Sequence, residues 1–351
     1  MVRRNQREDE QMRKLASIQE VQNIIEFEKA NTCEVAQILG YDVLVTKGQF
    51  KAGDKVVYIE NDSVPPDEKR FQFLWSKDEL KPRPRRYYLK PKKFFDRTCL
   101  GVALPIHLFP EFAMTHTGYD VTDYLGVEKY EPTTPDNELK RYNFPSWIPK
   151  TDETRLQSEP SLLKEILNEP FVATIKYDGT SATYSIDHNT DTFISCSRNF
   201  IVQEGVYVDI AKELDLEKKL RQRKYCYYAL QGEICGPKIG GNLLELSTPK
   251  LFVFNVFDLQ KREYLKHNHA LDVINDLELT PVHEFMAGTN FFEHDLENIK
   301  RMIESMTYEG TNNPIEGTVV RHMTNKFSRK LQGRLSFKII SNVFLTYKKH
   351  K

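Results

Sequence analysis

The alternation of apolar and polar positions changes character twice along the chain. From Glu34 the sequence reads as short alternating runs, VAQIL, DVLV and KVVYI, broken by turn signals at Gly40, Lys47-Gly48 and Gly53-Asp54. Short strands at ~8–12-residue spacing with such turns predict a small β-barrel or sandwich. The block closes with LGVALPIHLFP near residue 110. Residues 126–160 carry five prolines and few apolar residues in sequence. They predict a connection whose end, from Trp147, docks onto the part that follows. Beyond Phe171, YCYYALQGEI, LFVFNVFDL, IEGTVVRH and RLSFKIIS read as strands, rich in β-branched and aromatic residues. Helical spacing is confined to VYVDIAKELDLEKKL, with Val206, Ile210 and Leu214, and to LENIKRMIESM, with Leu296, Ile299, Met302 and Ile303. Strands outnumber helices and do not alternate with them, so the class is α+β.

Length divides this pattern into two parts. Single cores stop growing at roughly 250–300 residues, and the chain has 351. Charge adds little, because Lys plus Arg and Asp plus Glu are 50 each; only local clusters can speak for a nucleic-acid partner. The five cysteines are irregularly spaced with no CxxC pair. That argues against a disulfide framework and a structural zinc, and for an intracellular, reducing compartment, cytoplasm or nucleus. The charged N-terminus has no apolar core of a secretory signal, and no stretch reaches the ~20 apolar residues of a membrane span. GxGxxG, Walker-type GKS/T and HExxH are all missing from the sequence.

One lysine is out of place. Lys176 stands in IKYDGTSATY, at a turn between two apolar strands, where a charge would ordinarily be kept at an exposed edge. Further strings follow it in order: Ser197-Arg198-Asn199, Gly232-Glu233-Ile-Cys-Gly236-Pro237, Phe254-Asn-Val-Phe257-Asp258, Glu316-Gly317-Thr-Val319-Val320-Arg321 and Ser336-Phe-Lys338. Each sets polar residues on or beside an otherwise apolar strand. If the strands share a sheet, the charges converge on one groove.

KxDG alone is a weak pattern; KxDG followed by SRN, GE, FxxFD, EGxVV and FK resembles the covalent nucleotidyltransferases, the polynucleotide ligases and mRNA capping enzymes. The resemblance covers roughly residues 145–342. GEICGP and SRN look like the RNA ligase 2 group. GYDVLVTKGQFKAGDKVVYIENDSVPPD and FPSWIPKTDETRLQ look like the narrower Naegleria-type RNA ligases. The resemblance implies an N-terminal OB-type β-barrel followed by a nucleotidyltransferase domain of antiparallel sheets flanked by helices. The parts are a polar tail at 1–20, an OB domain at 21–128 and the nucleotidyltransferase domain at 129–351. It implies an ATP-dependent RNA ligase that joins 3′-hydroxyl and 5′-phosphate ends through lysyl-AMP and adenylylated RNA. The expected substrate is a nicked duplex and the expected state a monomer. A DNA ligase, an RNA guanylyltransferase or a catalytically weak OB-fold nucleic-acid-binding protein are the alternatives.

The resemblance also implies roles. Lys176 is the nucleophile, which must be neutral to attack; taking its pKa from ~10.4 to ~7 needs burial and nearby cations, Lys338 or a metal. Glu233 accepts from a ribose hydroxyl or holds metal-bound water. Asp178 and Glu316, with Glu233, are placed around a hydrated Mg²⁺ or Mn²⁺. Lys338 neutralises the α-phosphate in the transition state. Arg155 and Arg198 clamp phosphates. Phe257 stacks on adenine with Val319 on the other face, and Asp258 shapes the site.

Two positions depart from the family pattern. Ser336 stands where many members have a lysine, leaving Arg334 or Lys330 as substitutes, and Ser181 stands where RNA ligase 2 proteins often have Asn. His267 and His269 read as an exposed helix start, and Cys196 as a packed small residue. In the first part, KPRPRRYYLKPKKFFDR holds eight basic residues and one acidic. Interleaved with Tyr87, Tyr88, Phe94 and Phe95, the basic residues Arg83, Arg85, Arg86, Lys92 and Lys93 suit an RNA-tracking surface.

Overall fold

The computed structural model describes residues 14–74, 88–130, 142–289 and 296–347. The chain divides into two compact units, Met1–Thr133 with Gln157–Pro160, and Thr134–Leu156 with Ser161–Lys351. In the first unit, strand Lys55–Ile59 pairs antiparallel with Ala16–Glu20 on one side and Val102–Pro105 on the other. A second sheet runs in the order Asn23–Ile25, Cys33–Ile38, Tyr41–Thr46, Arg97–Cys99 and Lys92–Phe94. Tyr41, Val43 and Val45 alternate inward along their strand, as a period of two requires. Ile18, Val57, Ile59, Phe71 and Phe109 fill the core of this unit.

Ala16–Glu20 falls in the stretch read from the sequence as a polar tail. Its polar residues are themselves buried: Ser17 and Gln19 are covered, and the Gln19 amide donates to the Ser17 hydroxyl at 2.9 Å. Ala16 and Ile18 alternate with them, an apolar run of two positions that is too short to mark a strand. The short segment Gln157–Pro160 also belongs to this unit. The Gln157 carbonyl accepts the Gly40 N–H at 3.1 Å, and the Ser158 hydroxyl meets the Tyr41 hydroxyl at 2.7 Å and donates to Glu60.

The second unit is built on two sheets. The larger runs Tyr142–Asn143, Phe200–Val202, Thr192–Cys196, Thr180–Asp187, Tyr228–Cys235, Lys250–Asp258, Glu263–Tyr264. The smaller runs Thr154–Arg155, Ser336–Ile340, Gly317–His322, Phe171–Lys176, Glu284–Gly288. Pairing is antiparallel except where Thr154–Arg155 joins Ser336–Ile340 and Thr280–Pro281 joins Lys250–Asp258.

Each sheet buries one face under helices. Tyr184, Leu230, Ile234 and Val253 of the larger sheet pack with Ile210, Leu216, Leu220 and Ile274 from helices Val206–Glu213, Leu216–Leu220 and His267–Asp276. Phe171, Ala173, Val320, Phe337 and Ile339 of the smaller pack with Leu162, Ile299, Ile303 and Phe344. The alternate residues of the same strands, Thr174, Lys176, Arg321 and Lys338 on one sheet and Ser181, Gln231, Glu233 and Asn255 on the other, are thereby left to the opposite faces. Among the described residues, no helix is long and apolar enough to cross a membrane.

Candidate active site

Lys176 is the last residue of strand Phe171–Lys176, opposite Gly317. Four residues later Thr180 opens a strand of the other sheet, facing Ile234. The KYDG turn is therefore a crossing from one sheet to the other, which sets the lysine at their junction. Gly179 is required by that crossing: a Cβ there would lie 2.2 Å from the Ile234 carbonyl oxygen and 2.9 Å from Glu233 Cγ. The close approach that glycine permits is made by the chain's own neighbouring strand.

One hydroxyl fastens the crossing. Tyr308 Oη accepts the N–H of Asp178 at 3.1 Å and of Glu316 at 3.1 Å, and donates to the Lys176 carbonyl at 3.2 Å. Its ring is buried and stacks on Tyr177, which stacks in turn on Phe252. Tyr308 escaped the sequence reading because it lies outside every recognised string, in a segment between helix Leu296–Glu304 and the EG turn.

Carboxylates dominate the electrostatics here. Lys176 Nζ donates to Glu316 at 2.7 Å, with both side chains mostly covered. Burial alone would lower the lysine pKa, but the charges of Glu316, Glu233 and Asp178 outweigh it and hold the ammonium above the ordinary value. Glu233 moves the other way: burial, opposed by Lys176 and reinforced by Glu316 and Asp178, pushes it up to about 7. The charges acting most strongly on the lysine are therefore these carboxylates rather than the Lys338 named from the sequence. Among the described residues no three His, Cys, Asp or Glu side chains close around a point as direct metal ligands. Three carboxylates against one ammonium nevertheless leave excess negative charge. This donor set fits a hydrated divalent cation, which keeps its waters.

The cations lie elsewhere, paired with two carboxylates on the segment read as a connection. Asp152 takes Lys338 Nζ on Oδ1 at 2.9 Å and Arg198 on Oδ2 at 2.9 Å. Glu153 binds Arg334 at 3.0 Å and lies 3.7 Å from Arg321. Burial would raise the Glu153 carboxyl, but Arg334 and Arg321 hold it below the ordinary range. Burial pulls Arg321 down to about 10, against the pull of Glu153. Thr151 meets Ser181 at 3.0 Å, and the Pro149 carbonyl accepts from Gln231 at 2.7 Å. Residues 149–155 are a strap tied to both sheets. Arg155 is buried on it, in parallel register with Lys338. Of the residues offered as substitutes, Arg334 donates to Asn255 Oδ1 at 3.0 Å as well as to Glu153, and Lys330 is exposed; Ser336 is buried, with Arg321 as its register partner.

Two expected residues are elsewhere. Phe257 is 6% exposed, packed among Ile148, Ile194, Cys196 and Ala229 and edge-on to Tyr264. The Trp147–Ile148 end of the connection roofs it, so no ring face is open to a base. Asp258 accepts the N–H groups of Gln260 and Lys261 at 3.0 Å each, and so caps a turn. Phe254 of the same string is the aromatic with more of its surface uncovered. It is half-buried and lies 5.8 Å from the Arg321 guanidinium. Val319 pairs with both Thr174 and Lys338, on the Lys176 face. The signal was a register shift between Gln231 and Gly232 that leaves Phe254 as an extra residue opposite the facing strand. His267 begins helix His267–Asp276 and is paired with Glu284 at 2.9 Å, not exposed as expected; His269 is exposed. Cys196 is buried, its thiol pushed up to about 12 by burial, and all five cysteines are free.

In the first unit, Arg83, Arg85, Arg86 and Tyr87 lie outside the described residues. Lys92 and Lys93 are exposed on the edge strand Lys92–Phe94. Phe95, 47% exposed, stacks on Phe27 with ring centroids 4.9 Å apart, and Phe94 meets Phe27 edge-on. Tyr88 stacks on Tyr130 at 3.6 Å.

Residues 169–340 match the RNA ligase family, and an OB-fold domain family matches residues 15–106. No curated protein sequence matches the chain. Solved structures of Naegleria gruberi RNA ligase superpose over nearly the full length. A variant with ATP and Mn is 28% identical, covers 97% of this chain and 99% of its own, and gives a TM-score of 0.81. The protein with PPi is 29% identical at TM-score 0.82, and a variant with AMP and Mn 28% identical at 0.83, each covering 97% of this chain and 100% of its own. The chain belongs to the RNA ligases. With its OB-fold part first and its ligase part second, it is one of the Naegleria type.

Proposed function

We propose that this RNA ligase joins 3′-hydroxyl and 5′-phosphate ends of a nicked RNA duplex, as a monomer, with ATP as the AMP donor. Lys176 Nζ attacks the α-phosphorus, a P–N bond forms, the bond to the β-phosphate oxygen breaks, and pyrophosphate leaves. AMP passes from the lysine to the RNA 5′-phosphate. The 3′-hydroxyl then attacks that activated end, making the phosphodiester and releasing AMP.

The reading rests most on Lys176 at the junction of two sheets, held by Glu316 with the charges of Glu233 and Asp178 around it. Those three carboxylates would hold a hydrated Mg²⁺ or Mn²⁺, whose charge, when bound, offsets theirs and favours the neutral amine. Glu316 holds the Nζ proton until then. Lys338 and Arg198, with Arg155 behind them, face the phosphates; Phe254 and Val319 enclose the base. Lys92, Lys93 and the exposed Phe95 are the described part of the surface for the RNA strand, and Arg83, Arg85 and Arg86 belong to the same basic run.

Incubation with labelled ATP, GTP or NAD, followed by a denaturing gel, tests the reading. ATP alone is expected to label the chain. Labelling by GTP would identify a guanylyltransferase, and no covalent label would leave a nucleic-acid-binding protein.

A further inference from the structure

Asp152 bridges two of the phosphate-facing cations. Its two oxygens go separately to Lys338 and Arg198, at 2.9 Å each, which is how two oxygens of a phosphate would engage the same pair. The groups differ in cover. The Lys338 side chain is 12% exposed, whereas those of Asp152 and Arg198 are 29% and 41% exposed. The carboxylate sits at the open side and the lysine inside.

The backbone around it is fixed. Thr151 is bonded to Ser181 of the larger sheet, Glu153 to Arg334, and Thr154 is in register with Phe337 of the smaller. The strap cannot lift away without breaking these links. The carboxylate can leave only by turning about its own side-chain bonds, a change between staggered rotamers.

We propose that Asp152 is an internal stand-in for a phosphate: it occupies Lys338 and Arg198 in the nucleotide-free enzyme, and the phosphates of ATP displace it. The inference rests on the assignment of these two cations to the nucleotide phosphates. It gives Asp152 two effects on the reaction. The carboxylate lowers the apparent affinity for ATP, because only the fraction of molecules with Asp152 turned away is competent to bind. It also speeds departure of pyrophosphate, by retaking the cations as the anion leaves. Asp152 is a positioning residue in this scheme; it touches no reacting atom.

The test uses the full chain with Mn²⁺ and a non-hydrolysable ATP analogue, compared by calorimetry for wild type, Asp152→Asn and Asp152→Glu. Asp152→Asn is expected to bind the analogue about tenfold tighter, the gain from releasing a carboxylate engaged about nine-tenths of the time. Pyrophosphate should inhibit lysine adenylylation at correspondingly lower concentration, and Asp152→Glu should return both values toward wild type. In a Lys338→Met background the effect of Asp152→Asn should shrink, since one partner is gone. Asp152→Asn leaves two cations facing one another, so it is also expected to melt earlier, and pyrophosphate should raise its melting temperature more than that of wild type. Equal or weaker analogue binding, or an equal pyrophosphate shift, overturns the inference. If wild type forms no covalent adenylate, the ligase reading itself fails; if it does, and Asp152→Asn changes nothing, only the stand-in role is lost.

Discussion

Two charged clusters of opposite balance lie in the second unit. Around Lys176, three carboxylates act on one ammonium; around Glu153, two guanidinium groups share one carboxylate, with Lys338 contributing as well. Both are largely withdrawn from water, where an uncompensated charge is expensive. The responses differ accordingly. In the first cluster a carboxyl rises to about 7 and the lysine is held protonated. In the second a carboxyl is held low and an arginine falls to about 10, still charged at neutral pH. A negative surplus suits a metal cation and a positive surplus suits phosphates. Lys176 and Lys338 stand on the two strands that flank Gly317–His322, the strand that carries Arg321. That is the arrangement a metal–nucleotide complex requires.

Removing the ammonium of the first cluster should have the largest effect. Lys176→Ala is expected to abolish covalent AMP labelling completely, and surviving label would mean another nucleophile. Removing the only carboxylate of the second, by Glu153→Gln, leaves Arg321 and Arg334 without their counter-charge. That should cost about 2–3 kcal/mol of stability, somewhat under the figure for a fully buried pair because Glu153 keeps some exposure. Urea unfolding measures it; a change below about 0.5 kcal/mol would show that the pairing is not what compensates the arginines.

A gentler test loosens the first cluster without changing its charge. Tyr308→Phe removes one hydroxyl and leaves the Asp178 and Glu316 N–H groups without their acceptor. Adenylylation should slow about tenfold at saturating ATP with little change in KM, in keeping with the ~1–3 kcal/mol of an unsatisfied buried donor. A change confined to KM would assign Tyr308 to nucleotide binding instead.

The smallest expected effect is a pH dependence. Glu233 rises from 4.5 to about 7, so the folded chain favours its protonated form. That contribution to stability is complete below pH ~4.5 and is lost as pH rises through ~7. A cation needs the ionised form. Mn²⁺ affinity, measured by calorimetry, should therefore rise with pH by up to about tenfold per unit below 7 and level above it, and Glu233→Gln should flatten the rise. A profile unchanged in that variant would place the proton elsewhere.

Much of this comparison was legible in the sequence and part was not, for reasons that can be named. The negative cluster was legible because each carboxylate sits in a short string, KYDG, GE or EG, whose order is meaningful. The positive cluster was not, because Glu153 and Arg334 stand 181 residues apart and only the parallel pairing of Thr154–Arg155 with Ser336–Ile340 brings them together. Phe257 was chosen over Phe254 because alternation carries no mark of a register shift. The strand Ala16–Glu20 was missed because its polar residues are buried and bonded to each other rather than exposed. Reading helices by spacing succeeded for Val206–Glu213, Leu216–Leu220 and Leu296–Glu304, where apolar residues recur on one face.

The strap also supplies an optical handle. Trp147 packs at its start, beside Ile148 and against the cluster that holds Phe257, five residues before the carboxylate that bridges Lys338 and Arg198. The chain has two tryptophans, so Trp75→Phe leaves Trp147 as the sole indole emitter. Its fluorescence then reports on the packing at the root of the strap as ATP, pyrophosphate or AMP is added, without any attached dye. A ligase of this build can be followed through its nucleotide cycle by its own light.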